Sequence, residues 1–332
     1  MIMCMIYLTG NENVVGVDAG RVSIKNGEDI RMEPLELLDG INIYGRSQIT
    51  TQCIHTCMKN NIPISFYTQY GQFIGGFYGT EKVNVSRQRK QSYFSNTGDA
   101  LVLGRKIIFA KISNQITILR RYSRHSGIDV FNHILNMDYC RKYINSCDMI
   151  SQIMGYEGAA AKEYFAALGK MVNPDFRFKG RSKHPPKDAF NSMLSFGYSL
   201  LYKEIYGIVV SKGLNPFFGF LHSDSEGHMA LVSDLMEEWR SLIVDSMVMN
   251  MVNGNEIKID NFDISDDGMC TIDKDGIRLI LEKYNKKMNL TSKYIVENEG
   301  LTYRKMIGYQ VMDLIHVMED ENPDLYNPII IR

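Results

Sequence analysis

The spacing of apolar residues changes near position 80, and this change constrains the fold more than any other feature. Before it, short apolar runs alternate with turns such as Asn26-Gly27 and Asp39-Gly40, a pattern typical of small antiparallel sheets. One amphipathic helix interrupts them, and Ser47 stands where its N-cap is expected. The five apolar runs are 14–17, 22–24, 41–44, 62–67 and 73–77.

After a charged stretch, apolar residues recur at helical spacing to the end of the chain. Residues 101–119 predict a long helix that ends in the basic segment 120–124. The segment 322–332 contains two prolines and is predicted to be extended or disordered. Further helices are expected at 127–147, 149–170, 187–211, 229–252, 275–288 and 301–319.

These patterns predict an α+β protein with a β-rich domain at 1–80, a linker at 81–92 and a larger all-helical domain at 93–332. The chain is 45% hydrophobic and 23% charged, as expected for a globular protein with a sizeable core. Its net charge of −1 gives no overall sign of nucleic-acid binding, so any DNA surface must come from local clustering of basic residues.

The cysteines and the apolar runs indicate a cytoplasmic location. The six cysteines form no C-x-x-C pair, which favours a reducing compartment. Cys53 and Cys57 flank His55 but lie one helical turn apart, so we expect buried thiols there rather than a metal cluster. Residues 1–8 predict a first strand, and no run approaches the roughly 18 apolar residues of a membrane span.

Glu157 is the first residue with expected chemistry. At helical spacing, its neighbours Ile153, Met154, Ala161 and Tyr164 are apolar or aromatic, so the carboxylate falls on a buried face. Burying an unpartnered carboxylate is costly. Glu157 is therefore protonated, paired with a basic side chain, or bound to a metal.

His222 and an acidic helix follow. His222 ends an apolar loop that Gly213, Pro216 and Gly219 make tight, and it is either a core residue or a ligand. Asp234 and Glu237 lie three residues apart on one helix face. Their mutual repulsion must be offset by a cation, by the helix N-terminus or by solvent.

Together, these residues supply one imidazole and two or three carboxylates. This set suits Mn²⁺ or Mg²⁺ and is wrong for structural zinc, which recruits thiolates. A basic loop lies between Glu157 and His222, interleaved with phenylalanines, and it is either a solvated loop or a surface for a phosphate backbone. Its candidate DNA-binding residues are Arg177, Lys179, Arg181 and Lys183.

Four ordered motifs resemble the CRISPR-associated integrase/endonuclease family that inserts new spacers. They span residues 155–240, and the order of the β-rich and helical parts extends the resemblance over almost the whole chain. The motifs are Gly155-Tyr156-Glu157-Gly158, Ser195-Phe196-Gly197-Tyr198, Asn215-Pro216 with Gly219-Phe220-Leu221-His222, and Ser233-Asp234-Leu235-Met236-Glu237-Glu238-Trp239-Arg240.

The resemblance implies a β-sandwich-like N-terminal domain through which two subunits pair, and a helical catalytic domain. It assigns catalysis to Glu157, His222, Asp234 and Glu237, with Glu157, His222 and Glu237 as metal ligands and Asp234 close by. It also implies binding of duplex and branched DNA, and a small ferredoxin-fold CRISPR-associated adaptation protein as partner. The implied reaction is transesterification by a 3′-hydroxyl.

Two other functions stay open at this point. One is a structure-selective, metal-dependent DNA nuclease with water as the nucleophile, and the other is a non-catalytic DNA-binding scaffold. The loop after His222 reads Glu226-Gly227-His228 where relatives often have a basic residue, so its phosphate contacts are not carried over.

Overall fold

The N-terminal part of the computed structural model contains two four-stranded sheets, in the orders β1-β5-β7-β8 and β4-β3-β2-β6. The structure describes residues 4–9, 12–69, 71, 73–79, 84–182, 185–223, 225–292 and 300–331. The strands are β1 (Cys4–Thr9), β2 (Asn13–Asp18), β3 (Arg21–Asn26), β4 (Asp29–Pro34), β5 (Leu38–Tyr44), β6 (Gln48–Ile49), β7 (Ile64–Tyr67) and β8 (Phe73–Phe77).

The two sheets and helix α1 (Thr51–Lys59) share one apolar core. Cys53 and Cys57 are fully buried in it, which confirms that they are core thiols. The prediction of Ser47 as the N-cap was wrong, because the Oγ1 of Thr50 accepts the cap hydrogen bond from the amide of Cys53.

The expectation of purely antiparallel sheets was also wrong. Strand β5 pairs in parallel with both β1 and β7, and β2 pairs in parallel with β6. The chain between β1 and β5 runs through the other sheet, and α1 lies between β5 and β7. Such crossovers, unlike tight hairpins, join parallel strands.

The rest of the described chain is mainly helical, as predicted, and it forms a second, larger core. The 29-residue helix α3 runs through this core and ends at Gly127, whose φ is 71°. The helices are α2 (Val85–Phe94), α3 (Gly98–Ser126), α4 (Phe131–Ile144), α5 (Ile150–Met171), α6 (Ala189–Ser211), α7 (Ala230–Met236), α8 (Ser246–Asn253), α9 (Lys274–Met288) and α10 (Tyr303–Asp320).

The charged stretch assigned to a linker is helical from Val85 onward and packs on the helical part. The Nε2 of Gln91 donates to the carbonyl oxygens of Asn215 and Phe218, at 2.7 and 2.9 Å. Arg87 pairs with Glu319 of α10 at 2.9 Å. Residues 81–83 lie outside the described residues, and the domain boundaries themselves stay a prediction.

The C-terminal part is not purely helical, which corrects one detail of the prediction. It carries two short antiparallel ribbons, β9 (Phe262–Ile264) with β10 (Cys270–Ile272) and β11 (Thr291–Ser292) with β12 (Leu301–Thr302). Among the described residues, no helix is long and apolar enough to cross a membrane.

The final segment begins with a 3-10 turn at Pro323–Leu325, which the prediction of an extended or disordered end did not include, and the residues after it are held against the core. The amide of Ile329 donates to the carboxyl group of Glu238 at 2.7 Å, and the amide of Ile331 donates to the Oδ1 of Asn114 at 2.9 Å. Tyr326, Ile329 and Ile331 are buried. The segment therefore belongs to the folded body of the helical part.

Candidate active site

The loop between α6 and α7 sets the position of His222. Helix α6 ends just before Gly213, whose φ of 76° suits a glycine stop. A Cβ at Gly219 would lie 2.6 Å from the Cβ of Ala230 and 2.7 Å from the Oδ2 of Asp234. Glycine is therefore required for the loop to press against the start of α7.

Asp234 is fully buried and ties this loop together. Its carboxylate accepts hydrogen bonds from the backbone amides of Phe220, Leu221 and His222, at 2.7, 3.0 and 3.0 Å. It also bonds the Nδ1 of His222 at 2.6 Å. With four donors on its two oxygens, Asp234 serves to position the loop and the ring.

The imidazole of His222 is fixed by this contact. The hydrogen bond with Asp234 raises the pKa of His222, against the opposing effect of burial. Because Nδ1 faces a carboxylate, the neutral ring carries its proton there, and Nε2 keeps a free lone pair. Nε2 lies 3.9 Å from the Oε1 of Glu237.

Glu237, at the end of α7, is the centre of the charged cluster. Its Oε1 lies 3.2 Å from the Nε of Arg240, and its Oε2 lies 2.5 Å from the Nζ of Lys111 on α3. Burial opposes ionisation of this carboxyl, yet Arg240 and Lys111 lower its pKa to about 2. Glu237 is therefore an ionised carboxylate at neutral pH.

Glu157 enters the same cluster from α5. The Nζ of Lys111 donates a hydrogen bond to the Oε1 of Glu157 as well as contacting Glu237. Of the three states proposed for Glu157 from the sequence, the structure shows pairing with a basic side chain. Residues 111, 157, 222, 234 and 237 thus converge from α3, α5, the α6–α7 loop and α7.

The donor set fits a hard divalent cation. Within the described residues, no group of three or more His, Cys, Asp or Glu side chains is arranged to hold a metal as it stands, and the Lys111 ammonium lies between the two carboxylates. The buried Oε2 of Glu237 lies 2.5 Å from the Lys111 ammonium, and among the described residues no other polar group pairs with it. Two carboxylates and one imidazole nitrogen at a point that already holds positive charge are ligands suited to Mn²⁺ or Mg²⁺.

Comparison with known proteins shows which family the chain belongs to. The family model described as CRISPR associated protein Cas1 matches residues 6–286. The chain belongs to this family. The CRISPR-associated endonuclease Cas1 of Mycobacterium tuberculosis (strain CDC 1551 / Oshkosh) is 34% identical over 327 residues, which cover 97% of this chain and 96% of that relative.

Solved structures of the Cas1 family and its neighbours have the same fold. A casposase bound to integration product is 23% identical and superposes with a TM-score of 0.84, covering 96% of this chain and 91% of that chain. A chain of a Cas6-RT-Cas1–Cas2 complex is 22% identical with a TM-score of 0.82. The match covers 98% of this chain but only 36% of that longer one.

One residue of the predicted basic loop, Arg181, is half-buried and bonded to α6. The guanidinium of Arg181 donates to the Oδ1 of Asn191 at 2.9 Å and to the Oγ of Ser195 at 3.0 Å, and it lies over the ring of Tyr198. These contacts turn Arg181 inward, because its donors are used by α6. Arg181 therefore has a structural role within the loop, and its contact with DNA stays a prediction.

The DNA-binding role of the other residues of the basic loop stays a prediction. Arg177 and Lys179 are exposed. Lys183 lies outside the described residues. The proposed DNA contact thus starts from Arg177 and Lys179, on the segment that connects α5 to α6.

Sequence reasoning missed Lys111 and Arg240 as members of the cluster. Lys111 lies between Ile108 and Ile112 on the buried face of α3, and a lysine on an apolar helical stripe is the signal that points to a buried anion. Arg240 stacks over the ring of Tyr198, 4.8 Å from its centroid. It thereby connects Glu237 to the aromatic residues of α6.

Proposed function

We propose that this chain is a divalent-metal-dependent DNA integrase/endonuclease that inserts short DNA fragments as new spacers into a CRISPR array. Glu157, His222 and Glu237 would hold Mn²⁺ or Mg²⁺, and Asp234 would position His222. The observation that carries the proposal is the meeting of two carboxylates at one buried ammonium group, with the oriented Nε2 of His222 3.9 Å from the second of these carboxylates.

The proposed reaction exchanges one phosphodiester for another. The 3′-hydroxyl oxygen of the incoming strand attacks a phosphorus of the target strand, and the bond from that phosphorus to the target's own 3′-oxygen breaks. The proton lost by the attacking hydroxyl is balanced by protonation of the released 3′-oxygen. One phosphodiester forms for each one broken, so the step requires no ATP.

When bound, a divalent cation polarises the scissile phosphodiester and neutralises charge on the attacking and leaving oxygens. The protein's own residues prepare this position. Asp234 holds the Nδ1 proton of His222 so that Nε2 presents a lone pair. Arg240 keeps the Glu237 carboxylate ionised and oriented. Burial of Glu237 excludes water that would screen these charges.

We also propose that the subunits pair through the β-rich part and bind duplex and branched DNA. Strand β8 is an edge of its sheet, and its Ile74 and Phe77 are exposed, as in an edge that a partner covers. A small ferredoxin-fold CRISPR-associated protein is the proposed second partner. The similarity to a chain of a Cas6-RT-Cas1–Cas2 complex supports a second Cas protein as partner.

A structure-selective nuclease is the alternative use of the same site. Water would replace the 3′-hydroxyl as nucleophile, and the products would be free 5′-phosphate and 3′-hydroxyl ends instead of joined strands. A non-catalytic scaffold fits less well, because a surface that only binds a phosphate backbone gains nothing from Glu157 and Glu237.

A branched DNA that mimics a half-integrated spacer tests the proposal. Purified protein with Mn²⁺ is expected to reseal the labelled target strand and release the branch. Glu157→Gln protein and a chelator run beside it, and both should abolish the reaction. Cleavage without resealing would support the nuclease instead, and activity that survives chelation would contradict the metal site.

A further inference from the structure

The ammonium group of Lys111 lies where the two acidic side chains of the site meet. It donates to the Oε1 of Glu157 and lies 2.5 Å from the Oε2 of Glu237. We propose that Lys111 is a positioning residue whose ammonium takes the place of the divalent cation between Glu157 and Glu237, and that the cation must displace it. This inference rests on the proposed function, since it concerns the loading of the same site.

The surroundings of Lys111 show that these two carboxylates hold it in place. Its side chain is only 8% exposed, and its neighbours Ile107, Ile108 and Ile112 on α3 are buried in the core. A lysine in such a place is costly unless it is paired. Glu157 and Glu237 come from two other elements, so Lys111 also joins α3 to α5 and to the end of α7.

The ammonium and a divalent cation cannot share this position. A cation bound to these two carboxylates would lie about 2.1 Å from their oxygens. The Nζ of Lys111 already lies within hydrogen-bond distance of the same two oxygens. A cation held between the Oε1 of Glu157 and the Oε2 of Glu237 therefore requires the lysine side chain to swing away from at least one carboxylate.

The charges of the cluster favour replacement of the Lys111 ammonium by the divalent cation over binding of the cation beside the ammonium. Three carboxylates and two cationic side chains leave one net negative charge when His222 is neutral. A divalent cation added beside Lys111 would make the buried cluster positive, whereas withdrawal of the ammonium leaves it neutral. The residues counted are Glu157, Asp234, Glu237, Lys111 and Arg240.

Binding of Mn²⁺ to the full-length protein, measured by calorimetry and by the EPR signal of free Mn²⁺, tests the exchange. The Lys111→Met protein should bind Mn²⁺ about tenfold tighter or more. The reason is that the Lys111 ammonium, which competes with Mn²⁺ for the two carboxylates, has been removed. Lys162→Met, an exposed lysine on α5, removes the same charge elsewhere and should leave the affinity unchanged. Equal or weaker binding by Lys111→Met would overturn the inference.

Glu237→Gln separates this inference from the proposed function. If the wild-type protein binds Mn²⁺ and Glu237→Gln does not, the metal site stands, and the Lys111→Met result decides the exchange. If Glu237→Gln binds as well as the wild-type protein, the cation lies elsewhere, and both the metal site and the exchange are wrong.

Wild-type protein with ¹⁵N-labelled lysine gives a second readout that does not depend on a variant that folds. The buried ammonium of Lys111, assigned with Lys111→Arg, should give a slowly exchanging NMR signal without metal. Saturating Mg²⁺ should shift or remove this signal and leave the other lysine signals in place. A Lys111 signal that is unchanged while Mg²⁺ is bound would contradict displacement.

Discussion

The carboxylate of Asp234 bonds His222 twice, at its ring Nδ1 at 2.6 Å and at its backbone amide at 3.0 Å. The two contacts fix both the position of the residue and the rotation of its ring. The other ring nitrogen, Nε2, is thereby directed to Glu237. Asp234 has no lone pair to spare for a metal without giving up one of these bonds, so it acts through His222.

Asp234→Asn is expected to lower Mn²⁺ affinity and strand transfer by about 10- to 100-fold, the usual cost of losing the partner that orients a metal ligand. The carboxylate of Asp234 now accepts all of these hydrogen bonds. The NH2 group of asparagine is itself a donor, so it would face other donors and form none of the bonds that it replaces. Calorimetry and the branched-DNA assay measure the two effects at a temperature where the variant is folded. Wild-type affinity and rate in the folded variant would refute the positioning role.

His222→Ala is expected to abolish strand transfer, with a loss of about 100-fold or more, and to leave DNA affinity and thermal stability nearly unchanged. The ring is 26% exposed, so its removal opens no closed cavity. His228→Ala is the matched control, since its ring centroid lies 5.8 Å from that of His222 and its Nε2 bonds the hydroxyl of Ser233 instead of the acidic cluster. A large loss of melting temperature in His222→Ala would indicate a core histidine instead.

The sequence predicted which acidic and histidine side chains meet in the site. It did not predict which basic side chains they contact there. Glu157, His222 and Glu237 were found because a carboxylate on an apolar face, a histidine after a tight loop and two acids on one helix face each leave a local pattern. The pairing of Lys111 with two of them depends on how α3 packs against α5 and α7, which no local spacing encodes. The contacts of Arg181 with Asn191 and Ser195 on α6 were missed for the same reason.

The elements of the fold were predicted for the same local reasons. Helical spacing located most of the long helices within a few residues, because their apolar faces repeat over many turns. The single helix expected at 229–252 was wrong in detail, since the chain there forms α7, a π-helical segment at Arg240–Asp245 and α8. The parallel pairing of β5 with β1 and β7 could not be predicted, since strand order depends on long-range contacts. The helical start at Val85 was hidden, because a charged surface helix has no apolar stripe.

A triple variant is expected to bind DNA more weakly and with a smaller dependence on salt. It carries glutamine in place of Arg177, Lys179 and Lys183. For each phosphate that is no longer neutralised, the slope of log affinity against log salt should become shallower by about 0.9. Fluorescence anisotropy at several salt concentrations measures both the affinity and the slope. A variant with Lys25→Gln and Arg31→Gln on the β-rich part is the control, and an unchanged slope in the triple variant would remove this loop from the DNA surface.

The Arg181→Gln variant is expected to lose stability and to keep its DNA affinity, unlike the triple variant. Because the guanidinium of Arg181 bonds Asn191 and Ser195, its removal should lower the free energy of unfolding by about 1 to 3 kcal/mol. DNA affinity at low temperature should change little. Denaturant unfolding measures the first effect, and a specific loss of DNA affinity at full stability would show that Arg181 contacts DNA.

Glu238→Gln is expected to stabilise the protein at pH 8 by about 2 to 4 kcal/mol. Burial raises the pKa of Glu238 from 4.5 to about 8, so between these pH values the folded chain holds a proton that the unfolded chain has lost. The free energy of unfolding of the wild-type protein therefore falls as the pH rises through this range. Glutamine does not ionise, so its burial costs no additional free energy as the pH rises. Its side-chain oxygen can still accept the hydrogen bond from the Ile329 amide.

Denaturant unfolding at pH 5 and pH 8 measures this difference. The variant and the wild-type protein should be nearly equal at pH 5 and diverge at pH 8. Asp245, whose pKa burial raises to about 6, contributes equally to both proteins and cancels in the comparison. Parallel curves over the whole range would show that Glu238 is ionised in the folded chain.

The most direct test of the metal site is a crystal structure of the protein with Mn²⁺, with anomalous diffraction measured at the manganese absorption edge. One peak is expected among the carboxylates of Glu157 and Glu237 and the Nε2 of His222, with Asp234 still bonded to Nδ1. The ammonium of Lys111 should have left its place between the two carboxylates. A peak elsewhere, or none while Lys111 still bridges Glu157 and Glu237, would contradict the account.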